Sequence, residues 1–156
     1  MKLIEISHNN CVGCTLCEMV CSLFHEGECS NTKSRITIFR DEEFGNNLVS
    51  LCIQCADTYC VESCPSEALS RDPKTGAVLV DENACTGCEI CVAVCPLGGI
   101  SYDREKGIVF KCDLCGGDPQ CVQFCSRKAL TFKETDITAA ERKSFMVATE
   151  KLLSRV

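Results

Sequence analysis

Apolar and polar positions alternate along this chain only in short bursts. Leu3-Ile4-Glu5-Ile6 and Arg35-Ile36-Thr37-Ile38-Phe39-Arg40 repeat with a period near two, which predicts strands. A polar stretch at 41–47 follows the second of these and predicts a loop. Two segments read as hairpins. One runs through Ala68-Leu69-Ser70, turns at Asp72-Pro73-Lys74-Thr75-Gly76 and returns as Ala77-Val78-Leu79-Val80. The other runs through Ile100-Ser101-Tyr102, turns at Asp103–Gly107 and returns as Ile108-Val109-Phe110-Lys111. The tail changes period: Thr138 and Glu141 form a capping box, and Phe145, Ala148, Leu152 and Val156 make one apolar stripe on a helix over 139–155. That stripe either packs on the chain's own body or docks a partner or a second copy. No stretch approaches the ~20 apolar residues of a membrane span. The class is α+β, with very short helices.

Composition changes this picture. Seventeen of the 156 residues are cysteine, and without them only about a third of the chain is apolar, against about 45–50% in an average domain. Something besides aliphatic packing must fill the interior. The opening Met1-Lys2-Leu3-Ile4-Glu5-Ile6 has neither an apolar signal region nor a twin-arginine pair, so a cytoplasmic location is expected. Thiols stay reduced there, and the odd count also argues against a disulfide scaffold. Metal is the remaining reading.

Sixteen of the cysteines fall into four groups: Cys11, Cys14, Cys17 and Cys21; Cys52, Cys55, Cys60 and Cys64; Cys85, Cys88, Cys91 and Cys95; and Cys112, Cys115, Cys121 and Cys125. Only Cys29 stands alone. The first and third groups are spaced C-x2-C-x2-C-x3-C, the second and fourth widen the middle gap, and all four keep the last step. Three thiolates on one tight loop can hold three corners of an iron–sulfur cube. The fourth lies one helical turn on, facing away from that loop. Structural zinc is the competitor, but zinc modules supply separated C-x2-C pairs roughly 12–20 residues apart. The uninterrupted run is the one that marks bacterial ferredoxins, where the fourth cysteine ligates the other cluster.

On these motifs the chain resembles the four-cluster ferredoxin-type electron-transfer subunits of multi-subunit oxidoreductases, over residues 1 to about 133. Dimethyl sulfoxide reductase, formate dehydrogenase and hydrogenases contain such subunits. Cys17-Glu18, Cys21-Ser22, His25-Glu26-Gly27 and Ser34-Arg35-Ile36 look most like the small subunits that accompany tungsten aldehyde oxidoreductase-type enzymes. The resemblance implies four [4Fe-4S] clusters and a nested arrangement. Residues 52–95 form an inserted two-cluster module, 1–51 with 96–133 form an outer module around it, and 134–156 form the C-terminal amphipathic helix. It also implies crossed ligand sets. Cys11, Cys14 and Cys17 go with Cys125, and Cys112, Cys115 and Cys121 with Cys21. Cys52, Cys55 and Cys60 go with Cys95, and Cys85, Cys88 and Cys91 with Cys64.

Ser22 and Ser126 stand where the second and third groups have Pro65 and Pro96, so the surroundings there should differ. Cys29 reads as a spare structural thiol. His8 and His25 have no partner visible in the sequence and are assigned surface or packing roles. The formal charge is −6, and four clusters of roughly two negative charges each would deepen it, so basic partner surfaces are expected. Lys and Arg are scattered, which excludes a nucleic-acid patch. There is no phosphate loop, no nucleophile triad and no paired carboxylates. No catalytic residue is expected. The expected role is electron transfer between a large catalytic subunit, most like a tungsten or molybdenum enzyme, and a second redox subunit or soluble carrier. A hydrogenase or formate dehydrogenase complex, or a free polyferredoxin, stays open.

Overall fold

The structure, a computed structural model, describes residues 2–41 and 46–134. Among the described residues eight strands form four separate antiparallel pairs. Strand β1 (Lys2–Ile6) pairs with β8 (Leu130–Glu134), with Lys2 opposite Glu134 and Ile6 opposite Leu130. The first and last described strands therefore close on each other. Strand β2 (Ile36–Asp41) pairs with β3 (Asn46–Leu51), β4 (Leu69–Arg71) with β5 (Val78–Val80), and β6 (Ile100–Asp103) with β7 (Ile108–Lys111). Four helices lie between them: α1 (Leu16–Glu26), α2 (Tyr59–Glu62), α3 (Ile90–Ala93) and α4 (Gln120–Gln123). Among the described residues no helix is long and apolar enough to cross a membrane.

Both predicted hairpins form, and their turns use the same chemistry. The Asp72 carboxylate accepts from the N–H groups of Lys74 and Thr75, and Gly76 takes φ 75°. The Asp103 carboxylate accepts from Glu105 and Lys106, and Gly107 takes φ 70°. An aspartate that bonds its own backbone followed by a left-handed glycine closes a short hairpin. The helix expected over 139–155 lies outside the described residues. Glu134, expected to begin that segment, is the last residue of β8.

The expectation of very short helices holds for α2, α3 and α4 and fails for α1, which has 11 residues. Ser22 explains the difference. It continues the helix where proline would have ended it, is fully buried, donates to the Met19 carbonyl at 3.1 Å and accepts from the Ser30 N–H at 2.9 Å. The helix ends only at Gly27, in the left-handed conformation that caps helices. Ser126 does not lengthen α4 in the same way.

Two hydrophobic clusters fill the interior, and both include cysteine. The first joins Ile4, Ile6, Ile36, Val49, Leu51, Leu114 and Leu130 with Cys21, Cys112 and Cys121, and Cys11, Cys17, Cys52 and Cys125 pack against it. The second joins Leu69, Val78, Ile100 and Val109 with Cys91, and Cys60, Cys64, Cys85 and Cys95 pack against it. Ile100 and Val109 lie in the segment expected to be outer, yet they pack among the second and third cysteine groups. The β6–β7 hairpin thus packs in the second core, through Ile100, Tyr102 and Val109.

Gly99 shows how tightly the parts meet. A Cβ there would lie 2.8 Å from Cys52 Cα and 2.9 Å from its N, and neither backbone atom can step aside. Gly99→Ala should cost about 1–3 kcal/mol through overpacking. Thermal unfolding of the loaded protein checks this, and an unchanged midpoint would refute the close approach.

Candidate metal centres

Each cysteine loop is built from residues of opposite backbone hand. Gly13 and Thr15 in the first group, Gln54 in the second, Gly87 and Glu89 in the third, and Leu114, Cys115 and Gly116 in the fourth all have φ between 48° and 68°. Left- and right-handed residues in succession turn consecutive N–H groups toward one side, which favours an anion there. A second device recurs after the groups. Glu67, Gly98 and Lys128, each three residues past a fourth cysteine, are left-handed. The next N–H then points back at the sulfur: Gly99 to Cys95 Sγ at 3.3 Å, Ala129 to Cys125 Sγ at 3.3 Å, and Ala68 to Cys64. At Cys21 the longer helix prevents this, and the Arg35 N–H donates instead, at 3.4 Å.

The structure brings the outer groups together crosswise. Cys11, Cys14, Cys17 and Cys125 line one cavity, whose other walls include Val12, Leu16, Ile38, Val49 and Leu130. Cys21, Cys112, Cys115 and Cys121 line another, with Ile4, Ile36 and Leu51. Helices α1 and α4 pack against each other here. The third and fourth cysteines of each of these groups therefore face different cavities.

In the other half, α2 packs on α3. Burial pushes the Cys55 thiol up to about 11, and the neighbouring Cys52, Cys95 and Cys60 sulfurs add to the shift. Burial likewise pushes Cys91 up to about 11, with Cys64 and Cys88 adding to it, and Cys85 packs in the same core. Adjacent sets also touch. Cys121 is raised by burial and then by Cys112, Cys21 and Cys115 of its own cavity, with Cys17 beyond them. Cys112 is raised by burial first and then by Cys52. Neighbouring sulfurs thus link Cys17 to Cys121 and Cys112 to Cys52, and Cys60, Cys64, Cys85 and Cys95 meet around the second core. Cys14 and Cys88 are exposed.

Two expectations are corrected. His25 is not without partners: its Nε2 lies 3.7 Å from Cys115 Sγ and 3.5 Å from Asp113 Oδ1, and its side chain is 8% exposed. Asp113 in turn accepts from Arg35 Nη1 at 2.9 Å and from the Cys115 N–H at 2.9 Å. Burial lowers the His25 pKa, and the Arg35 charge lowers it further. His8 is half-buried, and its Nδ1 accepts from the Val49 N–H at 3.3 Å. Neither contact was visible in the sequence, because each spans tens of residues. Cys29 is exposed and lies outside both cavities.

The residues fit polynuclear iron–sulfur centres better than zinc. Zn–S bonds of about 2.3 Å would draw four sulfurs round one point. Among the described residues only His25, Asp113 and Cys115 bring ligand atoms within 4.8 Å of one another, so no three cysteine sulfurs are that close. Sulfur-only donor sets, apolar walls and N–H groups aimed at sulfur are what an anionic cluster requires.

Comparison with known proteins agrees. Residues 44–135 match the family described as 4Fe-4S dicluster domain. The chain is 49% identical over 123 residues to the polyferredoxin-like subunit of aliphatic sulfonate oxidoreductase from Pyrococcus furiosus, covering 78% of this chain and 70% of that one. It is 38% identical over 122 residues to the beta subunit of NADH-dependent phenylglyoxylate dehydrogenase from Aromatoleum evansii, covering 77% of this chain but spanning only 27% of that subunit. Among solved structures it resembles a chain of the active site complex BamBC of benzoyl coenzyme A reductase with benzoyl-CoA bound. The TM-score is 0.55 at 25% identity, over 99% of this chain and 90% of that one.

The raised thiols set a pH dependence. Cys17 is pushed up to about 12 from an ordinary 9.0, mainly by burial, so the folded, iron-free chain holds that proton. The stability it gives the iron-free state is complete below about 9 and is lost as pH rises through about 12. Cluster loading must expel such protons, so it is opposed at low pH. Reconstitution yield should rise from neutrality toward 9 and iron should leave on acidification; a yield independent of pH in iron release and uptake assays would contradict this.

Proposed function

Because this chain belongs to the 4Fe-4S dicluster domain family, we propose that it conducts electrons through four clusters between a catalytic subunit and a second redox partner. It is a non-catalytic iron–sulfur component of an oxidoreductase complex, and its cofactors are [4Fe-4S] clusters. The count of four is part of the proposal, as are the crossed ligand sets. Cys11, Cys14, Cys17 and Cys125 hold one cluster, and Cys112, Cys115, Cys121 and Cys21 a second. Cys52, Cys55, Cys60 and Cys95 hold a third, and Cys85, Cys88, Cys91 and Cys64 a fourth. The nested arrangement, with 52–95 inserted into an outer module, belongs to the same reading. The observation that carries it is the lining of the two outer cavities, each by three thiols of one group and the fourth of the other.

Each cluster, when bound, would supply a site that takes up and releases one electron. The chain's own residues do the rest. Ile4, Ile36, Leu51 and Leu130 keep water from the sulfurs, which limits the reorganisation that accompanies charge transfer. The Gly99, Ala129 and Arg35 N–H groups stabilise negative charge on Cys95, Cys125 and Cys21. On this reading the four centres form a row whose end members include the exposed Cys14 and the exposed Cys88, so electrons can enter at one end and leave at the other. All four sulfurs of each set are cysteine, which leaves no open position for substrate.

The partner we favour is a tungsten or molybdenum enzyme of the aldehyde oxidoreductase type. The relative in aliphatic sulfonate oxidoreductase and the likeness to a chain of an active site complex support a catalytic partner of this general kind. A reducing compartment such as the cytoplasm suits seventeen free thiols.

The anaerobically isolated chain should contain about 16 iron and about 16 acid-labile sulfide and co-purify with a large subunit. About four zinc would instead support a structural scaffold. Cys125→Ser should abolish or alter the paramagnetic signal of the cluster held by Cys11, Cys14 and Cys17. If it alters a cluster of the second or third group, the crossed sets are wrong. Tungsten or molybdenum in the large subunit supports the partner we favour, and nickel would point to a hydrogenase.

A further inference from the structure

Lys111 ends strand β7 immediately before Cys112 and is 3% exposed. Its ammonium donates to the Val78 carbonyl at 2.6 Å, the Cys112 carbonyl at 3.1 Å and Gln54 Oε1 at 3.3 Å. All three acceptors are neutral, and among the described residues Lys111 makes no ion pair with a carboxylate. A buried ammonium held only by neutral groups is costly unless a negative charge lies close by. The groups that would carry that charge are the sulfurs of two adjacent sets. Lys111 adjoins Cys112 in the chain, and Gln54, which accepts from its ammonium, donates its own N–H to the Cys52 sulfur 3.4 Å away.

Gln54 shares the joint. It is fully buried and left-handed at φ 55°. Its Nε2 donates to the Cys112 carbonyl at 2.8 Å, its Oε1 accepts from the Val78 N–H at 2.8 Å, and its own N–H donates to Cys52 Sγ at 3.4 Å. Lys111 and Gln54 together tie the loop of the second group, strand β5 and the first cysteine of the fourth group at one buried point.

We propose that Lys111 is the buried counter-charge shared by the Cys52–Cys55–Cys60–Cys95 and Cys21–Cys112–Cys115–Cys121 centres, raising the reduction potential of both middle stations of the row. This rests on the electron-transfer reading and its ligand sets. Reduction adds one electron, delivered by the redox partner, to a centre that is already anionic, with no bond made or broken. A fixed cation in the dry interior between two such centres favours the reduced form of each and is screened little by salt.

The test is a potentiometric titration of the anaerobically isolated full chain, followed by paramagnetic resonance, with signals assigned by Cys125→Ser, Cys21→Ser, Cys95→Ser and Cys64→Ser, one ligand of each centre. Lys111→Met should disfavour reduction of the two middle centres by about tenfold, which is 59 mV for one electron, and leave the end centres unmoved. Gln54→Glu, which sets a carboxylate beside the ammonium, should move the same two centres in the same direction. Lys111→Arg should keep the wild-type potentials. Unmoved potentials in a fully loaded Lys111→Met chain, or a shift confined to the end centres, overturn the proposal while the electron-transfer reading stands. A wild-type chain without about 16 iron overturns that reading instead. If Lys111→Met fails to load, Gln54→Glu decides by its potentials. If neither loads, loading of Lys111→Arg supports the need for charge, and its failure overturns the proposal.

Discussion

Sulfur turned inward is the constraint on which this structure depends. A buried thiolate is penalised unless opposite charge or hydrogen-bond donors compensate it. The chain supplies donors by backbone geometry. Left-handed residues inside each cysteine loop and three places after three of the fourth cysteines aim N–H groups at sulfur. Such conformations cost a non-glycine residue some energy, and Thr15, Gln54, Glu67, Glu89 and Lys128 all adopt them. They persist because the sulfurs need the donors. The shortness of most helices follows, since the chain must keep reversing hand to stay wrapped round its centres.

The outer pair departs from this pattern in an instructive way. Ser22 lets α1 run on, which removes the local donor that Cys64, Cys95 and Cys125 enjoy. Arg35 restores it from the start of the next strand and brings its guanidinium to Asp113, beside His25. Cys21 therefore sits in a wall that includes Arg35, Asp113 and His25. Glu18 strengthens the same junction: buried on α1, it accepts from the Ile38 N–H at 2.9 Å and fixes the helix to β2. Burial raises its pKa.

Much of this was legible in the sequence, because cysteine spacing and turn chemistry are local. The two hairpins follow from Asp72–Gly76 and Asp103–Gly107, and β1 and β2 from their alternation. Strands β3 and β8 were missed, although Leu130-Thr131-Phe132 alternates and Asn47-Leu48-Val49-Ser50-Leu51 holds a buried apolar run. The length of α1 is not legible locally, because Ser126 also stands in place of a proline and α4 stays at four residues, whereas Ser22 is held by the distant Ser30 N–H. The partners of His25 and the burial of Lys111 could not have been read, since they join residues 88 to 90 and 33 to 57 positions apart. A lysine that looks scattered in a list of charges can be the most enclosed cation in a fold.

The pairing of β1 with β8 has a consequence for biogenesis. A ribosome releases the N-terminal strand first, but its partner emerges only when nearly the whole described body has been made. The second and third cysteine groups lie wholly between these strands, so their half can reach its final form while synthesis continues. The outer half cannot, because Cys11 and Cys125 are brought together by the same closure. A chain cut short by a few residues of β8 would lose the pairing that brings Cys125 to Cys11, while the β4–β5 and β6–β7 hairpins would keep all their partners.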